Sequence, residues 1–300
     1  MSNNPLSPQT TLKASLLLDT RSELGEGAIW NDIDQKLYWV DIDQGLLHWL
    51  DPITNQIETA AFNQKISTVV PTQQGSLLIA LKDGIYSYKK DSGQLNLVVS
   101  NPENDSSGNR FNDGKCDPSG RLWVGTMGVE QSANLYRVDP NYSIHNMKTQ
   151  VSTSNGIVWS LDKKAMYYID TSTHKVVAYD YDDHSGQISN PSDAIIIPEE
   201  MGKPDGSTID SEGMLWIALW GGNAVTRWNP KTGALLCKVE VASKNVTSCA
   251  FGGKNLDTLY ITTARTKTSE EELELCPNSG GLFMIKPGVR GIKTNQFPDK

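Results

Sequence analysis

Short apolar segments recur along the chain at a nearly constant spacing. Each is rich in aromatic or β-branched residues and is bounded by residues that favour turns, and the six copies begin at Leu37, Leu77, Leu122, Met166, Leu215 and Leu259. Their starts lie 40, 45, 44, 49 and 44 positions apart. A strand-rich repeat of this length is typical of the four-stranded blades of a propeller. The sequence therefore predicts an all-β fold, a six-bladed β-propeller.

The first repeat can be divided into four strands, at 27–31, 36–41, 46–50 and 56–61, joined by segments with turn chemistry. The sixth repeat has too few residues for an outermost strand. We expect the N-terminal segment 13–18 to supply that strand and to close the last blade. We expect residues 1–300 to form a single propeller domain, with about 13–290 in blades and short tails. Two stacked sheets are the alternative architecture.

Composition narrows the range of partners. The formal net charge is -8 and disfavours nucleic acid, which requires a cationic face. We expect neither a signal peptide nor a membrane span in residues 1–21, because Asp19 interrupts the apolar run. The four cysteines form no C-x-x-C pair, so we expect reduced thiols in a cytoplasmic protein. No protein partner is evident.

Polar residues stand about ten positions before each apolar segment, where the innermost strand of a blade begins. They are Glu26, Thr68, Asn112 with Asp113, Asn155, Asp205 and Ser248. Several adjoin glycine, and Asn-Gly or Asp-Gly alone is also an ordinary hairpin turn. Because the inner strands of a propeller line one channel in the same direction, we expect these side chains to meet at one mouth.

Carboxylates and amides at equivalent positions would repel or stay unsatisfied unless a cation or a polar ligand held them. The oxygen ligands Glu26, Asn155 and Asp205 suit Ca²⁺, Mg²⁺ or Mn²⁺, with Zn²⁺ or Fe²⁺ also possible. The connections that follow the second strand of each blade should overhang this mouth. Among them, 264–280 is either a lid or a solvated acidic loop, and Trp220 packs either on a sugar or between blades.

Five short motifs together resemble the SMP-30/gluconolactonase/LRE family. They occur in the family's order between about residues 23 and 290, and they are Gly25-Glu26-Gly27, Arg110-Phe111-Asn112-Asp113-Gly114-Lys115, Ser154-Asn155-Gly156-Ile157, Pro204-Asp205-Gly206 and Thr247-Ser248-Cys249-Ala250-Phe251-Gly252-Gly253. The resemblance implies a propeller with one divalent metal ion near its axis and hydrolysis of a sugar lactone to the aldonic acid. It also implies that Glu26, Asn155 and Asp205 are the metal ligands.

The same resemblance implies that Arg110 and Asn112 bind substrate, together with a glutamate after the second strand of the third blade, for which Glu130 is the candidate. Lactone hydrolysis needs a polarised carbonyl and an activated water. We assign water activation to Asp205, since a carboxylate that ligates a metal through one oxygen can accept a proton on the other. Asp113 is assigned to positioning, and a salt bridge to Asp113 is the alternative role of Arg110.

Two other functions are compatible with the same residues. A non-catalytic propeller could use the metal for rigidity and bind a protein at its mouth. A metal-dependent esterase or organophosphate hydrolase could apply the same Lewis acid to a different ester.

Overall fold

Short strands joined by tight turns make up nearly all of the computed structural model, which describes residues 8–103 and 108–299. Two strands precede the repeats, β1 (Thr10–Lys13) and β2 (Ser15–Leu18). The first two repeats form β3 (Gly25–Asn31), β4 (Lys36–Asp41), β5 (Leu46–Asp51), β6 (Gln56–Ala61), β7 (Ile66–Pro71), β8 (Leu77–Leu81), β9 (Gly84–Lys89) and β10 (Gln94–Ser100). The next two form β11 (Arg110–Cys116), β12 (Leu122–Met127), β13 (Ala133–Val138), β14 (Ile144–Val151), β15 (Ser154–Trp159), β16 (Ala165–Asp170), β17 (Lys175–Asp182) and β18 (Gln187–Ile196). The last two form β19 (Lys203–Ile209), β20 (Leu215–Trp220), β21 (Ala224–Asn229), β22 (Ala234–Glu240), β23 (Asn245–Gly252), β24 (Thr258–Ala264) and β25 (Leu282–Ile285).

These strands assemble into six sheets. In each sheet, four neighbouring strands pair in antiparallel order. The innermost strands β3, β7, β11, β15, β19 and β23 each contact the next around a closed ring. The predicted six-bladed β-propeller is thereby confirmed. Apolar side chains fill the space between neighbouring blades, where Trp39, Trp123, Trp216 and Trp228 are almost fully buried.

The N-terminal segment closes the ring. Strand β2 pairs antiparallel with β25 and gives the sixth sheet its fourth strand, as predicted. The predicted boundary at residue 13 is wrong by two positions, because Lys13 ends the separate strand β1. That strand runs parallel to β22 and adds a fifth strand to the fifth blade. The N-terminal segment thus contributes one strand to each of two blades.

A repeated aspartate fixes the turn between the first two strands in blades three and five. Asp117 accepts a hydrogen bond from the Trp123 indole at 3.0 Å and pairs with the Arg121 guanidinium at 2.6 Å. Asp210 accepts from the Trp216 indole at 2.9 Å in the same way. The hydrogen bonds of these buried carboxylates therefore stabilise the fold, and we assign neither carboxylate to the binding site.

The C-terminal segment crosses the end of the channel opposite the predicted mouth. Gly291 bridges Asp210 of blade five, and Phe297 bridges Thr72 of blade two. Phe297 is fully buried and stacks on Tyr142, with ring centroids 5.6 Å apart. The channel is consequently covered at this end.

Helical structure is brief. Within the described residues it consists of two 3-10 turns, Thr171–Thr173 and Glu199–Met201, and the helix α1 (Glu270–Leu275). Across residues 8–103 and 108–299, no helical stretch combines the length and the apolar character that crossing a bilayer requires. The four cysteines are unpaired, in agreement with the reduced thiols expected from the sequence.

Candidate metal centre and substrate cavity

Each innermost strand is irregular where its predicted polar residue stands. The pairing register of the inner strand with its neighbour shifts next to Glu26, Thr68, Asn112, Asn155, Asp205 and Ser248. A bulge of this kind bends the strand and re-aims a side chain. The glycine dipeptides therefore belong to bulged inner strands and not to hairpin turns, and the bulges direct polar groups toward the axis.

Glycine is required at one of these bulges. Gly156, directly after Asn155, has a φ of +25°, and a Cβ there would lie 2.4 Å from Ile169 Cδ1 and 2.9 Å from the Asp205 carbonyl oxygen. Any larger residue would push blade four away from blade five. The absence of a side chain thus lets the strands that carry Asn155 and Asp205 come together.

A cavity of about 390 Å³ opens at the predicted mouth. Five predicted site residues line it, namely Glu26, Arg110, Asn112, Asn155 and Asp205. Four of these are at least nine-tenths buried, and Arg110 is half-buried. The volume of the cavity falls within the range of about 300–1,000 Å³ usual for small-molecule sites.

Two carboxylates at the base of this cavity perturb each other. Burial, and secondarily the charge of Asp113, raises the pKa of Glu26 to about 8. Burial, followed by the charge of Glu26, raises the pKa of Asp205 well above its ordinary value. Two buried carboxylates cannot both be ionised cheaply without a compensating positive charge. The pair of carboxylates is therefore expected either to retain a proton or to bind a cation.

The hydrogen bonds at the base agree with a cation site. Glu26 Oε2 accepts from the Gly27 amide at 2.9 Å, whereas Asp205 Oδ1 is buried and has no hydrogen-bond partner. An orphaned carboxylate oxygen in the interior is costly. With the Asn155 amide beside it, the donor set consists of oxygens and fits a hard divalent ion.

The amides of Asn112 and Asn155 are held by neighbouring blades. Asn155 Nδ2 donates to Thr171 Oγ1 at 2.8 Å, and Asn155 Oδ1 accepts from Asn112 Nδ2 at 3.0 Å. Asn112 Oδ1 in turn accepts from Arg110 at 2.7 Å. The Arg110 guanidinium donates to this oxygen and to the Phe111 carbonyl, and no ion pair joins it to Asp113 within the described chain. These contacts fix both amide oxygens and orient Arg110.

Sequence reasoning missed two aspartates that position the ligand strands. Asp41 accepts from the Glu23 and Leu24 amides, just before Glu26. Asp170 accepts from the Ser152 and Thr153 amides, just before Asn155. Both aspartates end the second strand of their blade, so the repeat itself contained the signal.

A second pair of charges lies farther along the channel. Burial raises the pKa of Asp113 and lowers that of Lys115, while the charge of each partly offsets the effect on the other. The Lys115 ammonium donates to the Ser207 carbonyl at 2.6 Å. Asp113 raises the pKa values of Glu26 and Asp205 through its charge, and its positioning role stays a prediction.

The outer wall of the cavity comes from the connections predicted to overhang it. Trp220 lines the cavity, as do Thr266 and Lys267 from the 264–280 segment. The acidic run of that segment forms α1, whose Ser269 and Glu272 make a reciprocal capping box and whose Glu272 pairs with Lys244. The segment is therefore folded over one side of the mouth.

Glu130 stands apart from the other predicted site residues. It is exposed, has a φ of +52°, and is not among the residues that line the cavity. The acidic side chain at the outer wall is instead Asp43, which pairs with Lys65 at 2.6 Å. The suggested contact of Glu130 with substrate stays a prediction.

The fold and its central site define a six-bladed propeller with an oxygen-rich binding centre on its axis. Residues 24–265 match the family model described as "SMP-30/Gluconolactonase/LRE-like region", and the chain belongs to this family.

Similar proteins match almost end to end. One is "Putative sugar lactone lactonase YvrE" of Bacillus subtilis, 42% identical over 289 residues, which cover 95% of this chain and 99% of that protein. Human regucalcin is 36% identical over 294 residues, with 94% and 97% covered. The crystal structure of a calcium-binding protein, regucalcin from Agrobacterium tumefaciens, superposes with a TM-score of 0.92 at 28% identity, covering 97% of this chain and 99% of that one.

Proposed function

We propose that this protein is a sugar lactone hydrolase that depends on one divalent cation held by Glu26, Asn155 and Asp205. The observation that carries the proposal is the buried Glu26–Asp205 pair at the base of a small-molecule cavity, with Asp205 Oδ1 lacking a hydrogen-bond partner. Family membership and the lactonase name of the Bacillus relative support lactones as the substrate class. The calcium-binding description of the Agrobacterium structure favours Ca²⁺ over Mg²⁺, Mn²⁺, Zn²⁺ and Fe²⁺.

The reaction consumes one water and releases one proton. A bond forms between the water oxygen and the lactone carbonyl carbon, and the bond from that carbon to the ring oxygen breaks. The ring oxygen leaves as a hydroxyl group, and the carboxylic acid that forms ionises near neutral pH. Acid release therefore measures turnover directly.

When bound, the cation would polarise the lactone carbonyl and stabilise the negative charge that develops on its oxygen. Asp205 accepts the proton of the attacking water on the carboxylate oxygen that does not hold the cation. Asn112 hydrogen-bonds the water or a ring substituent, with its own amide fixed by the Ser154 carbonyl at 2.8 Å. Arg110 donates to sugar hydroxyls or to the product carboxylate.

Asp205→Ala tests the assignment most sharply within this mechanism. We expect the variant to lose lactonase activity and to bind the cation weakly while the propeller stays folded. Asp91→Ala is the matched control, because Asp91 is an exposed aspartate in the turn between β9 and β10. Near-normal turnover by Asp205→Ala would overturn its roles as base and ligand.

A pH-drop assay on a panel of aldonolactones, with and without chelator, separates the competing functions. Metal-dependent acid release from a lactone supports the proposal. Acid release confined to simple esters or organophosphates would assign the other hydrolase, and no metal-dependent release from any substrate would favour a binding propeller. We infer a cytoplasmic location from the composition, and fractionation of cells tests it.

A further inference from the structure

The outer part of the cavity is basic although the chain as a whole has a formal charge of -8. Four cationic side chains line it, Lys65, Arg110, Lys203 and Lys267, and among the described residues Asp43 is the only carboxylate there besides the two at the base. Lys65 is neutralised by Asp43 at 2.6 Å. The positive charge of the mouth therefore comes mainly from Arg110, Lys203 and Lys267.

Lys203 and Lys267 have no ion partner in the part of the chain that the structure describes. No carboxylate of the described residues lies within 4.0 Å of either ammonium group. Both are exposed, and both line the cavity together with Trp220. Two unpaired cations beside one opening attract an anion, and the attraction is greater near the low-dielectric walls of a cleft than in open solvent.

A second cavity of about 370 Å³ adjoins the first at the same residues. Lys203, Trp220 and Lys267 line both. The second cavity adds one further cation, one carboxylate and two other polar side chains, namely Lys244, Glu199, His174 and Asn245. Asn245 Oδ1 and His174 Nδ1 are buried without hydrogen-bond partners. Unsatisfied polar atoms of this kind call for a polar occupant. The two lysines thus stand where a substrate reaching beyond the first cavity would pass.

The backbone positions of the lysines relate this place to the reacting centre. Lys203 pairs with Trp220 across β19 and β20 and precedes Asp205 by two residues. Two residues of strand span about 6.6 Å, which is comparable to the length of a hexose carbon chain. An anionic group near Lys203 would consequently lie at the end of the sugar remote from a carbonyl held near Asp205.

Lys267 is held in an uncommon conformation. Its φ is +57°, in a turn closed by the Thr268 amide donating to the Arg265 carbonyl at 3.2 Å. A side chain in the left-handed region is disfavoured relative to glycine. The turn therefore fixes the Lys267 backbone at the cavity wall.

We propose that Lys203 and Lys267 form a clamp for an anionic substituent, a phosphate or a carboxylate, on the lactone carbon remote from the ring carbonyl. This inference rests on the proposed lactonase function and names its substrate class as acidic sugar lactones. The clamp leaves the reaction unchanged: the ring carbon–oxygen bond breaks, and the anionic substituent passes intact into the product. The product carboxylate forms at the base of the cavity, so it is not the group that the clamp holds.

The test compares matched pairs of lactones at low and high ionic strength. Glucono-δ-lactone is measured against its terminal phosphate ester, and glucono-γ-lactone against glucaro-γ-lactone, which carries a terminal carboxylate. For the wild-type protein we expect kcat/KM to favour the charged member of at least one pair by roughly tenfold at low salt, and salt should reduce this ratio. The favoured pair distinguishes phosphate from carboxylate.

Lys203→Gln and Lys267→Gln should each lower this charged-to-neutral ratio, and the double variant should abolish the roughly tenfold preference, because each removes one charge-assisted hydrogen bond. Lys267→Gly keeps the left-handed backbone favourable and should behave like Lys267→Gln, which separates the charge from the turn. Lys254→Gln is the control, because Lys254 is exposed in the β23–β24 turn at the far end of its blade. That variant should retain the wild-type ratio.

The failures of the two hypotheses look different. Hydrolysis of neutral lactones without preference for charged ones overturns the clamp and leaves the lactonase function standing. A preference that survives both glutamine variants also overturns the clamp. If the wild-type protein hydrolyses no lactone at all, both the function and the clamp fail.

Discussion

The buried Glu26–Asp205 pair should make the metal-free protein lose stability as the pH rises. The pKa of Glu26 is raised by burial from 4.5 to about 8, so between these values the folded protein holds a proton that the unfolded chain has released. Folding is then disfavoured by rising pH, because the unfolded state binds fewer protons over this interval. At about 1.36 kcal/mol per pH unit, the full shift corresponds to an upper limit of roughly 5 kcal/mol.

Urea unfolding of the chelator-stripped protein between pH 5 and pH 8 measures this loss. Glu26→Gln should flatten the profile, because it removes one titrating group and also the charge that raises the pKa of Asp205. Glu200→Gln, at an exposed glutamate, should leave the profile as in wild type. Adding a divalent cation at one hundred times its Kd should restore about 2.7 kcal/mol at pH 8. An unchanged profile in Glu26→Gln, or no stabilisation by any cation, would refute this account of the pair.

Three further substitutions probe the cavity and its supports. Arg110→Lys should raise KM for a lactone roughly tenfold with a smaller effect on kcat, because one ammonium cannot replace the guanidinium donors; steady-state kinetics checks this. Gly156→Ala should weaken cation affinity roughly 10- to 100-fold by displacing the strand of Asp205, as measured by calorimetry on protein whose circular dichroism is unchanged. Phe297→Ala should lower the free energy of unfolding by about 3–5 kcal/mol while lactone hydrolysis persists, since its fully buried ring lies at the opposite end of the channel. Unchanged stability of this variant would contradict the role given to the C-terminal segment.

The architecture was predictable because the repeat has a constant period and each copy alternates apolar runs with turn residues. The same periodicity aligns Glu26, Asn155 and Asp205 in the sequence alone, since equivalent positions of a propeller face one channel. The bulges at these positions left only a weak trace in the adjoining glycines, as Asn-Gly and Asp-Gly also occur in hairpin turns.

Other features depend on contacts between segments far apart in the chain. Strand β1 pairs in parallel with β22 of blade five, and no local sequence pattern predicts this pairing. Lys203 and Lys267 come from different blades, and only their shared cavity wall makes them a pair. The resemblance points to Glu130 through its place after the second strand of blade three, whereas its exposed position off the cavity wall is a property of the folded loop.

Lactone hydrolysis by stripped and reloaded protein tests the central claim most directly. The protein is freed of metal with chelator, reloaded separately with Ca²⁺, Mg²⁺, Mn²⁺ and Zn²⁺, and assayed by acid release beside Asp205→Ala treated in the same way. We predict that the stripped wild-type protein is inactive, that at least one cation restores hydrolysis, and that no cation restores it in Asp205→Ala. Full lactonase activity in the stripped protein, or equal recovery by the variant, would contradict the account.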